Sequence, residues 1–491
     1  MSKTAVLEYK QLFSKSSIWQ IQKDYFKNKG IEAWTPGGVP YYVTSNANMG
    51  KTYAEMTYAF LEDIANINKT QEKVYLIELG SGLGRFSYYF LYHFSKLYKN
   101  SEGLPPFCYI MSDISEKNID AWKSNPKLQN YVNEGILDFC LYDMEHESEI
   151  HLEYANHTIE KNSLKTPLIA VANYVFDTVC QDLFYMRDNR LYNCLLTLKS
   201  QEYDPEKDIS EQMKKITLEY DYDRLDKMPF QEDRLNKLLQ DYVEMDSDVH
   251  VLFPTTALQC IERLKELTSE GVILLTADKG KHRHYHCEPP QLVVHGSFSM
   301  SVNYHVLCSY AKANHGKALF PNFSYGSINV GCLLLLRDVD QYDKVANKYD
   351  ECIKYAGPDA VYYLTRNLIS RSEVLDFHDI IYILSLTQYD PHIFKKILPH
   401  IFEQLSSINQ DNYQDIIYAI SRVWEMNYPL ENNQLAYDIG HLLYAMGSFD
   451  EALFYLKNTE KIDRDIIRLI IHCHYELEQY DEISAIMRQY E

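Results

Sequence analysis

The amino-acid sequence predicts an α/β protein, in which a doubly wound, Rossmann-like parallel sheet is followed by an all-α C-terminal helical-repeat domain. Five short apolar runs, each bounded by turn formers, alternate with helical patterns between about residue 74 and residue 278. This alternation is typical of βαβ units and a parallel sheet. After about residue 338, only helical periodicity remains.

These changes of pattern divide the 491 residues into three segments. Residues 1–70 are predicted to be a helical segment that caps a substrate site, with a plain packing extension as the alternative. Residues 71–338 are predicted to be the sheet domain, with an acidic insertion near 200–250. Residues 339–491 are predicted to be the all-α domain.

Within the sheet domain, residues 184–187 and 191–198 are joined by Asp188 and Asn189. Two β-prone runs separated by two turn residues predict a hairpin. A helix from Asn303 to about Asn314 and a strand pair at residues 318–320 and 327–337 are expected to complete the sheet.

Composition excludes several classes of protein. The net charge of −21 argues against non-specific binding to nucleic acid, which requires a basic surface. No stretch approaches eighteen apolar residues, and the N-terminus lacks the pattern of a secretory signal. The ten cysteines form no C-x-x-C pair, which favours reduced thiols. We therefore expect a cytoplasmic protein with neither a nucleic-acid nor a membrane partner.

The first strand of the sheet domain leads into a glycine loop. Residues 74–77 are β-prone, and Glu78, three glycines and Arg85 follow. Glycine permits close backbone approach to a ligand and positive φ. Arg85 occupies the position of the third glycine of a dinucleotide motif, and no Gly-Lys-Ser/Thr ending is present. The spacing E-x-G-x-G-x-G is therefore compatible with a different nucleotide cofactor, or with an ordinary tight strand-helix turn.

This loop resembles motif I of class I S-adenosylmethionine (AdoMet) methyltransferases, and the resemblance implies AdoMet as the cofactor. The methionine end of AdoMet is a zwitterion, which suits a carboxylate together with loop N–H groups. The candidate ligands in the loop are Glu78, Gly80, Ser81, Gly82 and Gly84.

Two further apolar runs end near an acid. Asp113 ends the second strand, where a carboxylate can accept both ribose hydroxyls; capping of the next helix is the alternative. Asp143 follows the third strand and is a candidate acceptor for the adenine amino group. A surface loop acid is the alternative for Asp143.

The fourth strand ends in polar residues that are candidates for the acceptor pocket. It runs over residues 168–172 and is followed by Asn173, Tyr174 and Asp177. In an open α/β sheet the strand after the topological switch faces the reactive part of the ligand. The spacing Asn-x-x-Phe resembles the Asn-Pro-Pro-Tyr/Phe motif of methyltransferases that act on planar nitrogens. A turn-forming Asn173 with Phe176 in the core is the alternative.

Two other patterns bear on metal binding and on protein partners. His282, His284 and His286 alternate along an extended segment, but no partner ligands stand at structural-zinc spacing, so a solvated loop is favoured and no metal is predicted. In the C-terminal domain, residues 447–453 and 478–484 repeat an aromatic-Asp-Glu pattern. This pattern resembles the tetratricopeptide turn and implies a partner-binding surface; a plain helical domain is the alternative.

The order of these pieces resembles the MidA family, which includes mitochondrial complex I assembly-factor methyltransferases. The resemblance covers about residues 30–335, and the matching pieces are residues 42–44, 53–56, 78–84, 173–177 and 278–280, and Gly296 and Ser297 with His305. It implies methyl transfer to a protein, with arginine as the type of acceptor. Tyr174 stands where the family has Glu, and a phenol cannot pair bidentately with a guanidinium.

Together, the residues and the resemblance predict an AdoMet-dependent protein N-methyltransferase. Asn173 and Tyr174 would line the acceptor pocket, and Asp177 would be the general base. The protein partner would be recruited by the helical tail. The alternative is an AdoMet-binding or degenerate methyltransferase-fold scaffold that acts through its repeats.

Overall fold

The structure is a computed structural model that describes most of the chain. The described residues are 4–34, 38–68, 70–201, 212, 215–244, 248–283, 288–295, 297–323, 328–355, 357–371, 375–407, 409–428 and 434–490. They form two compact units, Met1–Asp359 and Ala360–Glu491. None of the helices in these ranges combines the length and the apolar character that crossing a membrane requires.

The first unit contains every strand found among the described residues. In chain order they are β1 (Thr4–Leu12), β2 (Val74–Leu79), β3 (Phe107–Asp113), β4 (Leu137–Leu141), β5 (Ile150–Leu152), β6 (His157–Ile159), β7 (Leu168–Asn173), β8 (Asp182–Arg187), β9 (Arg190–Gln201), β10 (Ile216–Arg224), β11 (Val249–Phe253), β12 (Gly271–Asp278), β13 (Val293–His295), β14 (Ser297–Ser299), β15 (Lys317–Leu319) and β16 (Asn329–Leu336).

The central sheet has seven strands in the order β15-β16-β12-β7-β2-β3-β4. The five strands from β12 to β4 are parallel, whereas β16 runs antiparallel to β12. From β2 the chain adds strands on one side as far as β4 and then crosses back to place β7 on the other side. The predicted α/β fold class is therefore confirmed, with its topological switch between β2 and β7. Ligands of such sheets bind at the carboxyl ends of the strands beside this switch.

Helices cover this sheet because its strands are apolar on both faces. All seven residues of β3 and all eight of β16 are buried, as expected for strands that are covered on both sides. The α-helices of this unit are Ile18–Lys29, Ala47–Asn68, Arg85–Tyr98, Glu116–Lys123, Pro126–Asn133, Asp233–Val243, Thr255–Glu266, Tyr304–Ala313 and Asp343–Tyr349.

A second, antiparallel sheet joins β1, β9, β8 and β11, with β10 also paired to β9. The predicted hairpin is confirmed as β8 and β9, and its turn residues Asp188 and Asn189 have φ of 50° and 54°, as a two-residue hairpin turn requires. Helices were expected at the N-terminus, but Thr4–Leu12 is a strand because it pairs with β9. That partner is almost two hundred residues away, so local periodicity does not reveal it.

The described part of the second unit contains helices and no strand. Most of the helix Pro358–Arg371 belongs to this unit. The others are Phe377–Leu386, Pro391–Gln404, Gln410–Glu425, Leu435–Ala445, Phe449–Lys457, Arg464–Glu476 and Tyr480–Tyr490. Side chains of Asp376, Asp390, Asn409 and Asp463 cap four of them at the N-terminus. The two predicted aromatic-Asp-Glu motifs each coincide with a helix start, at Phe449 and at Tyr480. The tetratricopeptide-like character of these helices stays a prediction.

Some sequence predictions concern residues outside the described ranges. They include His284, His286, Gly296 and most of the residues 202–214 within the predicted insertion. The described part of that insertion contributes β10 and the helix Asp233–Val243.

Candidate active site

The glycine loop follows β2 at the topological switch. Gly80, Gly82 and Gly84 have φ of 66°, 53° and 77°, a region that L-residues with a side chain rarely adopt. The loop is held to the neighbouring strand because the Ser81 N–H donates to the Ser112 carbonyl at 2.8 Å. The helix Arg85–Tyr98 begins directly after Gly84. The predicted strand, loop and helix are therefore present in that order.

Glu78 lies beneath this loop, 4% exposed. Its Oε2 accepts hydrogen bonds from Ser87 Oγ at 2.5 Å and from the Tyr109 hydroxyl at 2.8 Å. Burial raises the pKa of Glu78, and the hydroxyl donors oppose that rise. These contacts fix the carboxylate at the wall of a cavity.

Asp113 ends β3 and braces the glycine loop from the side. Its Oδ2 accepts the Gly82 N–H at 3.0 Å, and its Oδ1 accepts the Ser115 N–H at 3.0 Å. Burial raises the pKa of Asp113, and the backbone donors oppose that rise. Asp113 is not among the residues that line the cavity. Its predicted role toward ribose stays a prediction.

Asp143 forms an ion pair with a lysine of the N-terminal helix. Lys23 Nζ lies 2.6 Å from Asp143 Oδ2 and 2.7 Å from Glu145 Oε2. The Asp143 side chain is 24% exposed. In this structure the partner of Asp143 is therefore a lysine of the same chain. The predicted contact of Asp143 with adenine stays a prediction.

The N-terminal segment, residues 18–34, packs on the same edge of the sheet. Ser115 Oγ donates to the Lys27 carbonyl at 3.1 Å, and Lys117 Nζ donates to the Asn28 carbonyl at 2.7 Å. The indole of Trp34 lies against the glycine loop so closely that a Cβ added at Gly82 would be 2.9 Å from Trp34 Cζ2. This segment therefore covers the ends of β3 and β4.

Asn173 and Tyr174 follow β7 on the other side of the loop. Asn173 Oδ1 accepts the Tyr53 hydroxyl at 3.1 Å, whereas its Nδ2 is buried and has no hydrogen-bond partner among the described residues. A rotation of the amide would exchange the two atoms. Tyr174 has a φ of 52°, which is strained for an aromatic residue and typical of functional sites.

Asp177 and Asp278 form a buried pair of acids. Asp278 Oδ2 accepts the Asp177 N–H at 3.2 Å, and the two buried acids interact electrostatically. Burial raises the pKa of Asp177 to about 6. Burial, and then the neighbouring Asp177, raise the pKa of Asp278 well above its ordinary value.

A cavity brings most of these groups together. It encloses an empty space of about 880 Å³, part of it open to solvent. Eight of the ten predicted site residues line it or its loop: Glu78, Gly80, Ser81, Gly82 and Gly84 at the loop, and Asn173, Tyr174 and Asp177 beyond it. The remaining two, Asp113 and Asp143, are held elsewhere.

Several residues of the site were not predicted. Phe26, Trp34, Lys279 and Arg85 also line the cavity, and the Arg85 guanidinium lies over the Tyr42 ring at 4.9 Å. Asp278 could have been found, because it ends an apolar strand in the same way as Asp113. Trp34 could not, because nothing in its local sequence indicates contact with Gly82.

A glycine loop with a buried acid at the switch of a doubly wound sheet defines the class of cofactor-binding α/β proteins. Within that class, the chain belongs to the family described as "Putative S-adenosyl-L-methionine-dependent methyltransferase". The family model matches residues 56–309, slightly more than half of the chain. The protein is accordingly an AdoMet-dependent methyltransferase. The predicted cofactor is thereby confirmed, whereas the MidA-like subtype stays a prediction.

Solved structures show weaker likeness. A Burkholderia thailandensis protein bound to S-adenosyl-homocysteine is 11% identical over 64% of this chain and 74% of its own, with a TM-score of 0.39. Magnesium protoporphyrin IX methyltransferase from Synechocystis is 12% identical over 65% of this chain and 99% of its own, with a TM-score of 0.29. These likenesses are too low to support a functional argument. Comparison with curated proteins gives no match.

The residues fit AdoMet at one end of the site. Glu78 and the glycine loop line the cavity, and a carboxylate beside backbone N–H groups suits the ammonium and carboxylate of a methionine moiety. At the other end, both oxygens of Asp113 accept backbone N–H groups and Asp143 is paired with Lys23. These contacts occupy part of the accepting capacity of the two carboxylates.

Proposed function

We propose that this protein transfers the methyl group of AdoMet to a nitrogen atom of a protein side chain. The observation that carries the proposal is the Asp177 carboxylate. It is buried, it lines the cofactor cavity, and its Oδ1 has no hydrogen-bond partner among the described residues. A buried acceptor without a partner is costly, so its presence in a cavity favours a role toward a ligand.

The chemistry of a nitrogen acceptor requires such a group. AdoMet supplies an electrophilic methyl group on a sulfonium, and a protonated amine or guanidinium has no free lone pair to attack it. Asp177 is suited to remove the proton, since a general base works best with a pKa near the working pH and the pKa of Asp177 is raised to about 6. An alcohol acceptor would ordinarily require a stronger base.

Orientation is the other requirement of methyl transfer. The acceptor must approach in line with the carbon–sulfur bond, and a site that fixes this geometry lowers the barrier by positioning. Asn173 is held by Tyr53, and Tyr174 is held in its strained conformation by a hydrogen bond from its N–H to the Ala277 carbonyl at 3.0 Å. These contacts support Asn173 and Tyr174 as the rigid wall of the acceptor pocket.

The second unit supports a protein as the carrier of the acceptor. Ten large apolar side chains on its described helices, and Ile462 between two of them, are exposed, and apolar surface of this kind marks a partner-binding site where it is contiguous. The exposed residues are Tyr363, Leu364, Leu368, Tyr382, Leu386, Tyr418, Phe454, Ile462, Tyr475, Tyr480 and Met487. Stacked helix pairs of tetratricopeptide type bind partners in this manner.

The test is a methyl-transfer assay with the purified full chain, AdoMet labelled in its methyl group and a lysate of the source cells. We expect label in the protein fraction, and methylated nitrogen side chains after hydrolysis of that fraction. The Asp177→Asn variant should bind AdoMet in calorimetry but transfer no label.

Two results would contradict the proposal. Label confined to small molecules would exclude a protein acceptor. Binding of AdoMet with no transfer to any fraction would instead favour the scaffold function.

A further inference from the structure

The aromatic-Asp-Glu motif occurs twice in the second unit, and the chemistry of methyl transfer makes no use of it. The two copies begin the helices Phe449–Lys457 and Tyr480–Tyr490, with acids in each first turn. Acids are favourable there because of the helix dipole, so the motif alone does not indicate a site. The structure, however, brings residues of both copies to one groove, which the end of the helix Arg464–Glu476 also lines. We name it the acidic groove.

The acidic groove has an excess of negative charge. Four carboxylates and one lysine ammonium line it, and none of the four carboxylates has an ion-pair or hydrogen-bond partner among the described residues. The carboxylates are those of Asp450, Glu478, Asp481 and Glu482, and the lysine is Lys457. By contrast, Asp465, outside the groove, pairs with Arg468 at 3.0 Å. The negative charge of the groove is therefore available to a ligand.

Two aromatic side chains stand beside these carboxylates. Phe454 is 55% exposed and Tyr480 is 57% exposed, and both line the groove. The face of an aromatic ring attracts a cation, and the apolar stem of a lysine or arginine packs on such a ring while its charged end stays near water. Carboxylates and rings together thus suit the same kind of side chain.

His474 provides an observation that is independent of the acids. It lines the groove but is only 2% exposed. Gln479 Oε1 accepts a hydrogen bond from its Nδ1 at 2.6 Å, whereas its Nε2 is buried and has no hydrogen-bond partner among the described residues. In a neutral ring with the hydrogen on Nδ1, Nε2 is an acceptor. A buried acceptor without a partner is costly, and a donor that enters the groove would satisfy it.

The spacing of the groups indicates which ligand fits. Where the described side chains come close enough to share one metal ion, in a single cluster, none of them belongs to the acidic groove. The carboxylates of the groove are instead spread over two helices and the turn before the second. A phosphate chain would be repelled by them, because nucleic acids require a basic surface. Several cations carried along one chain can reach all of the carboxylates.

We propose that the acidic groove binds a segment of a partner protein that is rich in lysine and arginine. The cations of the segment pair with the four carboxylates, and their stems pack on Phe454 and Tyr480. This inference rests on the proposed protein acceptor and deepens it, because it gives the second unit a recruitment site and gives the partner a chemical class.

The test is fluorescence anisotropy of a labelled octalysine peptide with the full chain, without AdoMet, at about 0.1 M ionic strength. The groove variant combines Asp450→Asn, Glu478→Gln and Asp481→Asn. The matched control combines Glu451→Gln, Asp465→Asn and Glu476→Gln, none of which lines the groove. Each combination removes the same charge and includes two acids from the first turns of helices.

We expect the groove variant to bind the peptide about tenfold more weakly, since each lost ion pair contributes a modest amount. The control variant should bind within about twofold of the wild type. Far-ultraviolet circular dichroism of both variants checks that the helices are intact.

A second pair of variants tests the aromatic contact and keeps the test decisive if the groove variant does not fold. Phe454→Ala should weaken binding by about two- to fivefold. Tyr382→Ala, which removes a ring that is 64% exposed elsewhere in the unit, should leave binding unchanged.

Three results would overturn the proposal: no binding of octalysine to the wild type, equal losses in the groove and control variants, or equally tight binding of an octaglutamate peptide. Equal losses would assign the binding to the overall negative charge of the chain. Because this titration needs neither AdoMet nor acceptor, its failure is distinct from a failure of the methyl-transfer assay.

Discussion

The two halves of the cofactor edge of the sheet contain the same kinds of residue and use them differently. Beside β2 and β7, Glu78, Asn173 and Asp177 line a cavity, and two of these side chains retain a buried atom without a partner among the described residues. Beside β3 and β4, the oxygens of Asp113 and Asp143 are engaged by protein donors. An acid at the end of a parallel strand is therefore not sufficient to form an open site.

Part of the difference between the halves comes from the N-terminal segment. Its helix Ile18–Lys29 and the turn Gly30–Trp34 pack against the loop that follows β3 and carry the lysine that binds Asp143. Asp143 is thereby engaged by the segment, whereas the donors to Asp113 are the backbone N–H groups of Gly82 and Ser115. Phe26 and Trp34 of the same segment line the cavity.

The largest effect is expected at the glycine that belongs to both halves. A side chain at Gly82 must enter the space of Trp34 and adopt a φ of 53°. Gly82→Arg should weaken AdoMet binding by on the order of 100-fold or more, measured by calorimetry. Gly103→Ala is the control, because Gly103 also has a positive φ, of 79°, but nothing lies within 4 Å of its Cβ position. Equal losses in both variants would assign the effect to backbone strain alone.

The next largest effect is the pH dependence of stability that is expected from Asp177, in the half of the site beside β2 and β7. Burial raises the pKa of Asp177 from 3.8 to about 6, so folding favours the protonated acid. Its contribution to stability is fully present below pH 3.8 and is lost as pH rises through about 6.

We expect Asp177→Asn to remove this loss, which corresponds to about 3 kcal/mol. The free energy of unfolding should then depend less on pH in the variant than in the wild type. The measurement is denaturation between about pH 4 and pH 7, followed by tryptophan fluorescence. A wild type and variant with parallel pH profiles would show that Asp177 titrates in its ordinary range.

A smaller effect is expected where the acid braces the loop. Asp113→Asn leaves one of two backbone N–H groups poorly satisfied and should lower the free energy of unfolding by about 1–3 kcal/mol. The matched change, Asp143→Asn, removes only a partly exposed ion pair and should cost less. Calorimetric unfolding of both variants checks this order, and the reverse order would show that Asp143 is the structural acid.

The smallest effect is expected at the ion pair that joins the N-terminal helix to Asp143, two residues after β4. Lys23→Met should cost about 1 kcal/mol or less at low salt. The cost should shrink as ionic strength rises to about 1 M, because salt screens charges at the surface. Thermal unfolding at two salt concentrations measures it. A cost that does not vary with salt would indicate lost packing of the lysine stem.

Much of the fold was predictable because its signals are local. The glycines of the loop, the Asp188-Asn189 turn and the apolar strands each specify their own conformation. The open half of the site follows from the same signals, because Glu78 and Asn173 stand at the ends of adjacent strands. Local rules are sufficient where the residues that interact are already placed by the sheet.

The rest depends on contacts between distant parts of the chain. The strand Thr4–Leu12 is defined by its pairing with β9, and the five-stranded sheet around it was not predicted. The partner of Asp143 comes from the N-terminal helix, whose arrival at that edge no local pattern indicates. Asp113 is instead bound by the glycine loop and by Ser115, two residues further along the chain. Asp278 was within reach, since the rule applied to Asp113 also selects it.

The contacts of Gly82 also link the glycine loop to the intrinsic tryptophan fluorescence of the protein. The indole of Trp34 packs against this residue, and the indole N–H of Trp122 donates to its carbonyl oxygen at 3.0 Å. Of the four tryptophans in the chain, two therefore contact the same loop residue from different directions. Any event that rearranges the loop must alter the polarity around both indoles, and the emission spectrum of the native chain will register it.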